Sequence, residues 1–425
     1  METEARPAGW RAGLNRNVVV LGLVSFFTDI SSEMLVPIRF IFLLRWLGTP
    51  LALAGLIEGL SEAAASVLKV AVGRRTDQVP RRSPMITLGY GLSNLAKPLI
   101  GFVGAWQPAL ALLLADRVGK AIRSAPRDTI IADSVPREYR GKAFGFHRAM
   151  DTFGAALGPL ATALILRVTD NNLAAVFRWT IVPGLIAVVI VPLFLREPPR
   201  TQPATAATPG APASLTPLGT RFWAFSVIWA LFSLGNSSDS FIFLRSVDID
   251  SQLMLVPLFY AGFNIAYALA ATPLGSLSDV LGRLPLLVFS LVVFGCTYLG
   301  WSAATRPWQI AQLFVLYGLY YAGTEGVARA FVADLVPQGR RGTAMGWFTA
   351  LTGIAMLPAN LLAAYLWSNV GKQAPFVYGA GMAFAAALLL LICYPWLRAA
   401  KACRLNDCRR ASAGAGPGAN TTTEA

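Results

Sequence analysis

Stretches of apolar residues, interrupted by short polar and basic segments, fill almost the whole chain. Many approach the roughly 20 residues that a helix needs to cross the hydrocarbon core of a membrane. The pattern predicts twelve transmembrane helices, at about residues 17–46, 52–72, 84–104, 109–131, 143–166, 173–195, 222–245, 253–275, 284–304, 308–332, 343–367 and 374–397. We therefore predict an all-α membrane protein embedded in a lipid bilayer.

Composition and charge agree with this interpretation. Of the 425 residues, 55% are hydrophobic and only 14% are charged, whereas a soluble domain has about 25% charged residues. With both termini on one side, the tails and loops of that side hold 21 of the 36 Lys and Arg, and the opposite side holds six. This bias predicts cytoplasmic termini in a bacterial inner membrane. Because the formal charge of +14 follows from the bias, we expect no nucleic-acid partner.

Two segments of the chain are repeated at a long interval. ADSVPREYRGKAFG at 132–145 returns as ADLVPQGRRGTAMG at 333–346, with eight of the fourteen positions identical. SSE at 31–33 returns as SSD at 237–239, each with an Arg six residues later. We predict two duplicated six-helix bundles. The predicted units are a cytoplasmic tail at 1–16, a bundle at 17–196, a flexible cytoplasmic linker at 197–220, a bundle at 221–398 and a disordered cytoplasmic tail at 399–425.

Each copy of the longer repeat is interpreted as the turn between the fourth and fifth helices of its bundle. Pro136 and Pro337 end one helix. The Arg-Gly that follows starts the next helix. Small faces four residues apart, at Gly141 and Gly145 and at Gly342 and Gly346, are expected to let a neighbouring helix approach closely. His147, the single histidine of the chain, follows the first turn and is interpreted as a helix-end residue in a wet rim.

Charged residues inside the predicted helices are expected to face the bundle interior, because a charge in lipid is costly. On the fourth helix, Asp116, Lys120, Arg123 and Arg127 fall on one stripe, and this mostly basic stripe suits an anionic solute group. On the first helix, Asp29 and Glu33 lie four residues apart. Two neighbouring carboxylates in an apolar setting are candidates to load and release a proton.

Further polar residues have alternative roles that stay open. Internal ion pairing is as reasonable as a functional role for Arg148 with Asp151 and for Glu325 with Arg329, given their helical spacing. Lys69, Arg127 and Glu58 also suit the membrane rims, where long side chains reach water. The remaining predicted members of the solute and proton pathway are Arg39, Lys97, Arg117, Asn236, Asp239 and Arg245, with Tyr317, Tyr320 and Tyr321 as candidate cavity lining.

A set of short motifs, in order along the chain, resembles the major facilitator superfamily over about residues 15–400. The family's loop G-x3-D-[RK]-x-G-[RK]-[RK] is matched in part by Gly73, Asp77, Arg81 and Arg82, and in the second copy by Gly275, Asp279, Gly282 and Arg283. Arg117 resembles the Arg of the family's fourth helix. Gly154, Gly158 and Pro159 resemble the helix-packing signature of its proton-driven exporters.

The resemblance implies two six-helix halves around a site near the middle of the membrane, with the first and fourth helices lining the cavity. It also implies that Asp77 and Asp279 form a cytoplasmic latch, where each is placed to cap a neighbouring helix N-terminus. The packing signature implies export.

The function that these features predict is secondary transport of a small solute by alternating access, driven by protons and directed outward. The solute is expected to be a small organic compound, with an anion as one option. A proton-coupled importer or facilitator of a polar metabolite, and a membrane sensor or scaffold without transport, stay open as alternatives. We expect no enzyme activity, cofactor or metal, because a G-x4-G-K-[ST] loop and a Cys/His cluster are absent. We expect a monomer.

Overall fold

The computed structural model describes residues 14–61, 68, 81–136, 139–197, 218–250, 252–337 and 340–397, and every regular element in these ranges is helical. The first bundle contains α1 (Arg16–Glu33), α2 (Arg39–Ile41, continued by a π-helical turn at Phe42–Trp46), α3 (Leu51–Ser61), α4 (Ser83–Ile100), α5 (Trp106–Asp133), α6 (Arg140–Val168), α7 (Leu173–Trp179) and α8 (Ile181–Phe194). The second contains α9 (Thr220–Gly235), α10 (Ser240–Ile249), α11 (Leu255–Leu281), α12 (Arg283–Ala303), α13 (Pro307–Leu335), α14 (Arg341–Asn369) and α15 (Ala374–Ile392).

Contacts between helix ends define the two sides of the first bundle. At the start of α1, Arg16 Nε donates to the carbonyl oxygen of Phe194 at 3.1 Å, and the Asn15 amide donates to the carbonyl oxygen of Ser134. We call this the terminal side. At the opposite end, the far side, Arg178 Nε donates to the carbonyl oxygen of Gly101 at 3.0 Å. The helices therefore run antiparallel, as short connections require.

The same two sides continue through the second bundle. Arg221, at the start of α9, lies over the ring of Trp396 at 5.8 Å, beyond the end of α15, and this marks the terminal side. On the far side, Lys372 forms an ion pair with Asp248. Aromatic side chains fill the space between α11, α12 and α13; the rings of Phe294 and Tyr298, for example, stack at 3.9 Å.

Seven helical spans in the described ranges are long and apolar enough to cross a membrane: 142–168, 173–194 (α7 and α8), 220–249 (α9 and α10), 255–281, 283–303, 343–369 and 374–392. The other predicted spans are shorter, more polar or interrupted there. Together the elements agree with a twelve-helix, multi-pass membrane fold.

Three predicted helices differ from the structure because they are broken. The predicted helix 17–46 is divided between Glu33 and Arg39, around Pro37, whose ring and missing N–H interrupt a helix. The predicted helix 222–245 is divided between Gly235 and Ser240. No proline lies there, but the run of Asn, Ser and Asp offers the backbone competing side-chain hydrogen bonds. The predicted helix 173–195 is divided at Thr180.

The two bundles meet along three pairs of helices. α6 packs on α11, and α2 packs on α10, where the rings of Phe40 and Phe241 lie 5.3 Å apart. α3 packs on α14, where a Cβ at Gly55 would lie only 3.2 Å from the carbonyl oxygen of Asn360. The charged residues described below lie between these contacts.

Candidate functional site

The breaks in the two repeated helices position two carboxylates. Glu33 is the last residue of α1, and Asp239 is the residue before α10. These residues are the equivalent positions of the SSE and SSD repeats. Each therefore lies where a membrane helix is interrupted, as at the discontinuous helices that form binding sites in many transporters.

Glycine residues on α6 hold α1 close at the two predicted proton-site residues. A Cβ at Gly154 would lie 3.0 Å from the Cβ of Asp29, and a Cβ at Gly158 would lie 2.8 Å from the Cβ of Glu33. The GAALGP segment, which includes Pro159 inside α6, thus packs directly behind both carboxylates. Gly145 and Gly346 have no atom within 4 Å of such a Cβ, so the expectation of close helix packing at these two residues was wrong.

The stripe on α5 contacts α4 and α1. Ser93 on α4 donates to Asp116 Oδ1 at 2.5 Å. Arg123 is 3% exposed, and its guanidinium lies 4.3 Å from the centre of the Tyr90 ring. Arg127 Nη1 donates weakly to Ser25 on α1, at 3.5 Å, and its Nε donates to Asp128 Oδ1 at 2.9 Å.

Lys97 and Arg117 lie beside this stripe. Lys97 is buried, and its Nζ donates to Ser32 Oγ at 2.8 Å and to Asn94 Oδ1 at 3.0 Å. Arg117 Nη1 lies 3.8 Å from Asp116 Oδ2. These hydrogen bonds join α1, α4 and α5 into one polar wall.

The charges of α5 and α1 act on one another across the bundle. Lys120, Arg123 and Asp151 are among the charged neighbours of Asp29. Lys120, Arg39 and Arg117 are among those of Glu33. The structure therefore brings the predicted acidic pair and the predicted basic pair into one cluster.

A tyrosine from the second bundle completes this cluster. Tyr260 Oη, on α11, donates to Glu33 Oε2 at 2.9 Å. The nearby Asn264 donates through Nδ2 to the carbonyl oxygen of Ala155 at 3.1 Å. Sequence reasoning missed both residues, because no local pattern shows which side chains of one bundle reach the other.

Nearer the terminal side, a second group of polar residues joins the bundles. Arg148 Nη2 donates to Tyr267 Oη at 3.2 Å, and Tyr267 donates to Glu325 Oε2 at 2.8 Å. Arg329 and Glu325 form the predicted pair within α13, at 3.4 Å. The predicted pairing of Arg148 with Asp151 is not found.

Asp151 instead lies 3.5 Å from Nδ1 of His147, one helical turn away. His147 is only 4% exposed, and its Nε2 has no hydrogen-bond partner within the described residues. The histidine is therefore buried between helices, and its placement in a wet rim was wrong. The ring of the neighbouring Phe146 packs at Gly22 of α1, so α6 is already in contact with another helix at this position.

The two repeated arginines are held by different partners. Arg39 makes a two-pronged ion pair with Glu58 on α3, with distances of 2.7 and 2.6 Å. Glu58 is 2% exposed, so its carboxylate is buried against the guanidinium of Arg39. Arg245 donates to the carbonyl oxygens of Trp301 and Ala304, both at 3.2 Å, and pairs with Asp248 at 2.9 Å. These contacts fasten α10 to the far end of α12, away from the cluster.

The loop motifs of the two halves make matching contacts on the terminal side. Arg82 pairs with Asp133 at 2.6 Å, and Arg283 pairs with Asp334 at 3.2 Å. Both acids are identical positions of the longer repeat, a sequence signal of a shared partner in the two halves. The repeat is thus explained in part by an ion pair. In each bundle this pair joins the terminal-side end of one helix (α5 or α13) to the start of the helix before it (α4 or α12).

Other motif residues have simpler surroundings. Gly282 has a φ of 95°, a conformation that favours glycine in the tight turn between α11 and α12. Asp279 is 73% exposed and lies 4.0 Å from Arg283. The residue before α12 is Gly282, and the start of this helix has no side-chain cap, so Asp279 does not cap α12. Gly275 has open space around it. Arg81 lies just before α4, and Gly73 and Asp77 lie outside the described residues.

Asn236 and Asp239 lie in the second bundle, at the break between α9 and α10. Tyr317 donates to Asp239 Oδ1 at 2.7 Å, and Asn236 Nδ2 donates to Tyr320 Oη at 3.4 Å. The three tyrosines predicted to line the cavity therefore lie beside these polar residues. Among the described residues, no group of three or more His, Cys, Asp or Glu is arranged to hold a metal.

Two duplicated helical bundles that meet around buried charges define a secondary membrane transporter. A sequence model described as Major Facilitator Superfamily matches residues 21–260 and 246–406. The chain belongs to the major facilitator superfamily and is an MFS transporter.

Individual relatives agree with this assignment. An uncharacterised MFS-type transporter of Methanocaldococcus jannaschii is 35% identical over 385 residues, which cover 89% of this chain and 95% of that protein. An uncharacterised protein of Mycobacterium tuberculosis is 30% identical over 365 residues, covering 83% and 87%. The crystal structure of a mutant of the peptide transporter POT matches 89% of this chain and 94% of its own with a TM-score of 0.75, at 15% identity, and this likeness concerns the fold alone.

Proposed function

We propose that the protein is a proton-coupled secondary transporter of a small organic anion, and that the anion binds to Arg123 and Lys120 between α1, α4 and α5. The observation that carries this proposal is the state of Arg123. Its Nε and Nη1 are buried without a hydrogen-bond partner in the described part of the chain, although its ring-stacked guanidinium is fixed on Tyr90.

Buried donors without acceptors cost free energy. A carboxylate or phosphate group would satisfy them with charge-assisted hydrogen bonds, for which the planar guanidinium is well suited. Lys120, one turn before Arg123 on the same helix, is exposed and adds a second positive charge. Lys97 is less suited to the solute because its ammonium group already donates to Ser32 and Asn94.

We propose Asp29 and Glu33 as the proton-binding pair. Asp29 faces Lys120 and Arg123 from α5 and Asp151 from α6. The charges of Lys120, Arg117 and Arg39 act on Glu33, and the hydroxyl of Tyr260 on α11 donates to it. Because the charges that act on the two carboxylates include those of the proposed anion site, protonation of the carboxylates is expected to alter anion binding.

Export is the direction suggested by the resemblance of the α6 packing segment to proton-driven exporters. The charge arrangement supports a second candidate, import by proton–anion symport. Ionised Asp29 and Glu33 compete with an anion for Lys120 and Arg123, so protonation of the acids would favour anion binding. The sign of the pH effect on affinity separates the two: tighter binding at low pH favours symport, and weaker binding favours antiport.

The test begins with a panel of small mono- and dicarboxylates, scored by stabilisation of the purified protein, since a ligand that binds the native state raises its stability. For the carboxylate that stabilises most, Lys120→Gln/Arg123→Gln is expected to weaken binding roughly tenfold or more. Lys372→Gln, on the far side, is the matched control and should leave affinity unchanged. Asp29→Asn/Glu33→Gln should retain binding and lose the dependence of flux on a pH gradient in proteoliposomes. Unchanged affinity in the basic double variant would overturn the anion site.

A further inference from the structure

The second bundle contains an acidic residue enclosed by aromatic rings, at the position equivalent to Glu33. Tyr317 Oη donates to Asp239 Oδ1 at 2.7 Å, and Tyr321 Oη lies 3.5 Å from Oδ2. We call Asp239, Asn236 and the surrounding rings of Phe263, Tyr298, Tyr317, Tyr320 and Tyr321 the tyrosine box.

The rings of the box form a continuous wall. The ring of Phe263 lies 5.6 Å from that of Tyr317 and 5.3 Å from that of Tyr321. The ring of Tyr320 lies 5.4 Å from that of Tyr317. Aromatic faces carry negative potential, and together with a carboxylate they form the usual surroundings of a bound organic ammonium group.

One polar atom of the box, Asn236 Oδ1, is buried without a hydrogen-bond partner in the described residues. The amide oxygen is an acceptor, so an N–H donor from a ligand would satisfy it, and an isolated unsatisfied acceptor is costly. Asp239 and Tyr321 are only partly buried, so the rings do not enclose the carboxylate completely.

Tyr260 connects the tyrosine box with the cluster that contains the proposed anion site. Tyr260 donates to Glu33, and its ring stacks on Phe263 of the box at 5.4 Å. Glu33 and Asp239 are both among the charges that act on Tyr260. A single extended solute would therefore meet the basic cluster of the protein at one end and the tyrosine box at the other.

From this arrangement we infer that the transported solute is zwitterionic: its anionic group binds to Arg123 and Lys120, and an ammonium group that carries N–H donors binds in the tyrosine box beside Asp239. The inference rests on the proposed anion site and adds a second subsite in the other bundle. Because the subsites belong to different halves of the transporter, a zwitterion would link the halves, whereas a simple anion would bind only one.

The test uses ω-aminoalkanoates of increasing chain length, with alkanoates and alkylammonium ions of the same lengths as matched probes, and measures their affinities for the purified full-length protein. At the best length, the aminoalkanoate is expected to bind the wild type roughly tenfold or more tightly than the alkanoate. Asp239→Asn should abolish this preference and keep alkanoate affinity. Tyr317→Phe, which retains the ring, should reduce the preference by a smaller factor.

Asp250→Asn and Tyr378→Phe, both outside the box, are the controls and should behave as the wild type. Equal affinities for aminoalkanoate and alkanoate, a preference that survives in both box variants, or no binding of any amine probe to the folded wild type would each overturn the inference. The inference would also be overturned if Na⁺ stabilised the protein in a way that requires Asp239 while no alkylammonium ion stabilised it. Loss of alkanoate binding in the wild type would count against the proposed anion site, whereas Asp239-dependent alkylammonium binding would still support the box.

Discussion

The hydroxyl of Tyr260 in the second bundle donates a hydrogen bond of 2.9 Å to Glu33 Oε2 in the first. The bond joins the two halves of the transporter directly at the proposed proton site. Tyr260 is 8% exposed, so water competes little for the bond. A hydrogen bond of this kind contributes about 0.5–1.5 kcal/mol, which is enough to bias the equilibrium between two conformers.

We predict that Tyr260→Phe shifts the ratio of conformers by about fivefold, because about 1 kcal/mol corresponds to that factor. Spin labels at Gln107→Cys and Trp308→Cys, at the far-side starts of α5 and α13, would report the separation of the bundles in a background without native Cys. Tyr378→Phe removes a hydroxyl from α15 and is the control. An unaltered distance distribution in Tyr260→Phe would show that the bond does not select a conformer.

Gly158 is predicted to be essential for the packing of α6 on α1. An added Cβ would lie 2.8 Å from the Cβ of Glu33 and 2.9 Å from the carbonyl oxygen of Ile30. Gly158→Ala must therefore push the helices apart, and overpacking of this kind costs about 1–3 kcal/mol. We expect a lower unfolding temperature in detergent and a reduced proton-driven flux.

Gly145 provides a control on the same helix, because a Cβ there would meet no atom within 4 Å. Gly145→Ala should be neutral, or stabilising by about 0.5–1 kcal/mol, since alanine favours a helix more than glycine does. Equal destabilisation by the two substitutions would mean that helix propensity, rather than the contact with α1, accounts for the effect at Gly158.

Residue patterns along the chain predicted much of this arrangement. The stripe from Asp116 to Arg127 and the pair Asp29 and Glu33 follow from helical periodicity alone, and the structure brings both together. Gly154 and Gly158 were recognised through the resemblance of their segment to the family's helix-packing signature. Such features depend on local spacing, which the sequence shows directly.

Other features depend on contacts between distant segments and could not be predicted in the same way. Tyr260 looks like one aromatic among many until α11 is packed on α6. Glu58 was interpreted as a rim residue because nothing local shows that Arg39 crosses from α2 to meet it. Asp133 is different: its identity with Asp334 in the repeat was visible, and comparison of the two halves would have indicated a shared partner.

The ion pair between Arg39 and Glu58 is expected to be a strong structural link on the far side. Its two hydrogen bonds are 2.7 and 2.6 Å long, and Glu58 is almost fully buried. Removal of one partner leaves the other charge buried, at a cost of about 3–5 kcal/mol. Glu58→Gln and Arg39→Gln should therefore lower the unfolding temperature strongly.

The apolar double variant Arg39→Met/Glu58→Leu should recover much of the loss, because it leaves no buried charge alone. Arg283→Gln disrupts a more exposed pair with Asp334, with exposed fractions of 25% and 47%, and should cost no more than about 1 kcal/mol. Thermal unfolding in one detergent compares all four. A double variant as unstable as the single ones would indicate that Arg39 is needed for its other contacts.

On the terminal side, we predict that Arg148 controls the separation of the bundles without contributing much to stability. It donates to Tyr267 at 3.2 Å, and its Nη2 lies 3.9 Å from Glu325 Oε2. The exposed fractions of the arginine and the acid are 61% and 32%, and ion pairs that water reaches contribute only about 0–1 kcal/mol. A weak, wet bridge between halves is suited to break and re-form during alternating access.

Arg148→Gln should therefore leave the unfolding temperature nearly unchanged and lengthen the distance between spin labels at Gly145→Cys and Val280→Cys, on α6 and α11 near the terminal side. Arg329→Gln is the matched control, because Arg329 also pairs with Glu325, at 3.4 Å, but within α13. It removes the same type of charge from the same acid without cutting a link between the halves, so its label distance should match the wild type. If the two variants give the same distance distribution, the charge around Glu325 matters but the bridge from α6 does not.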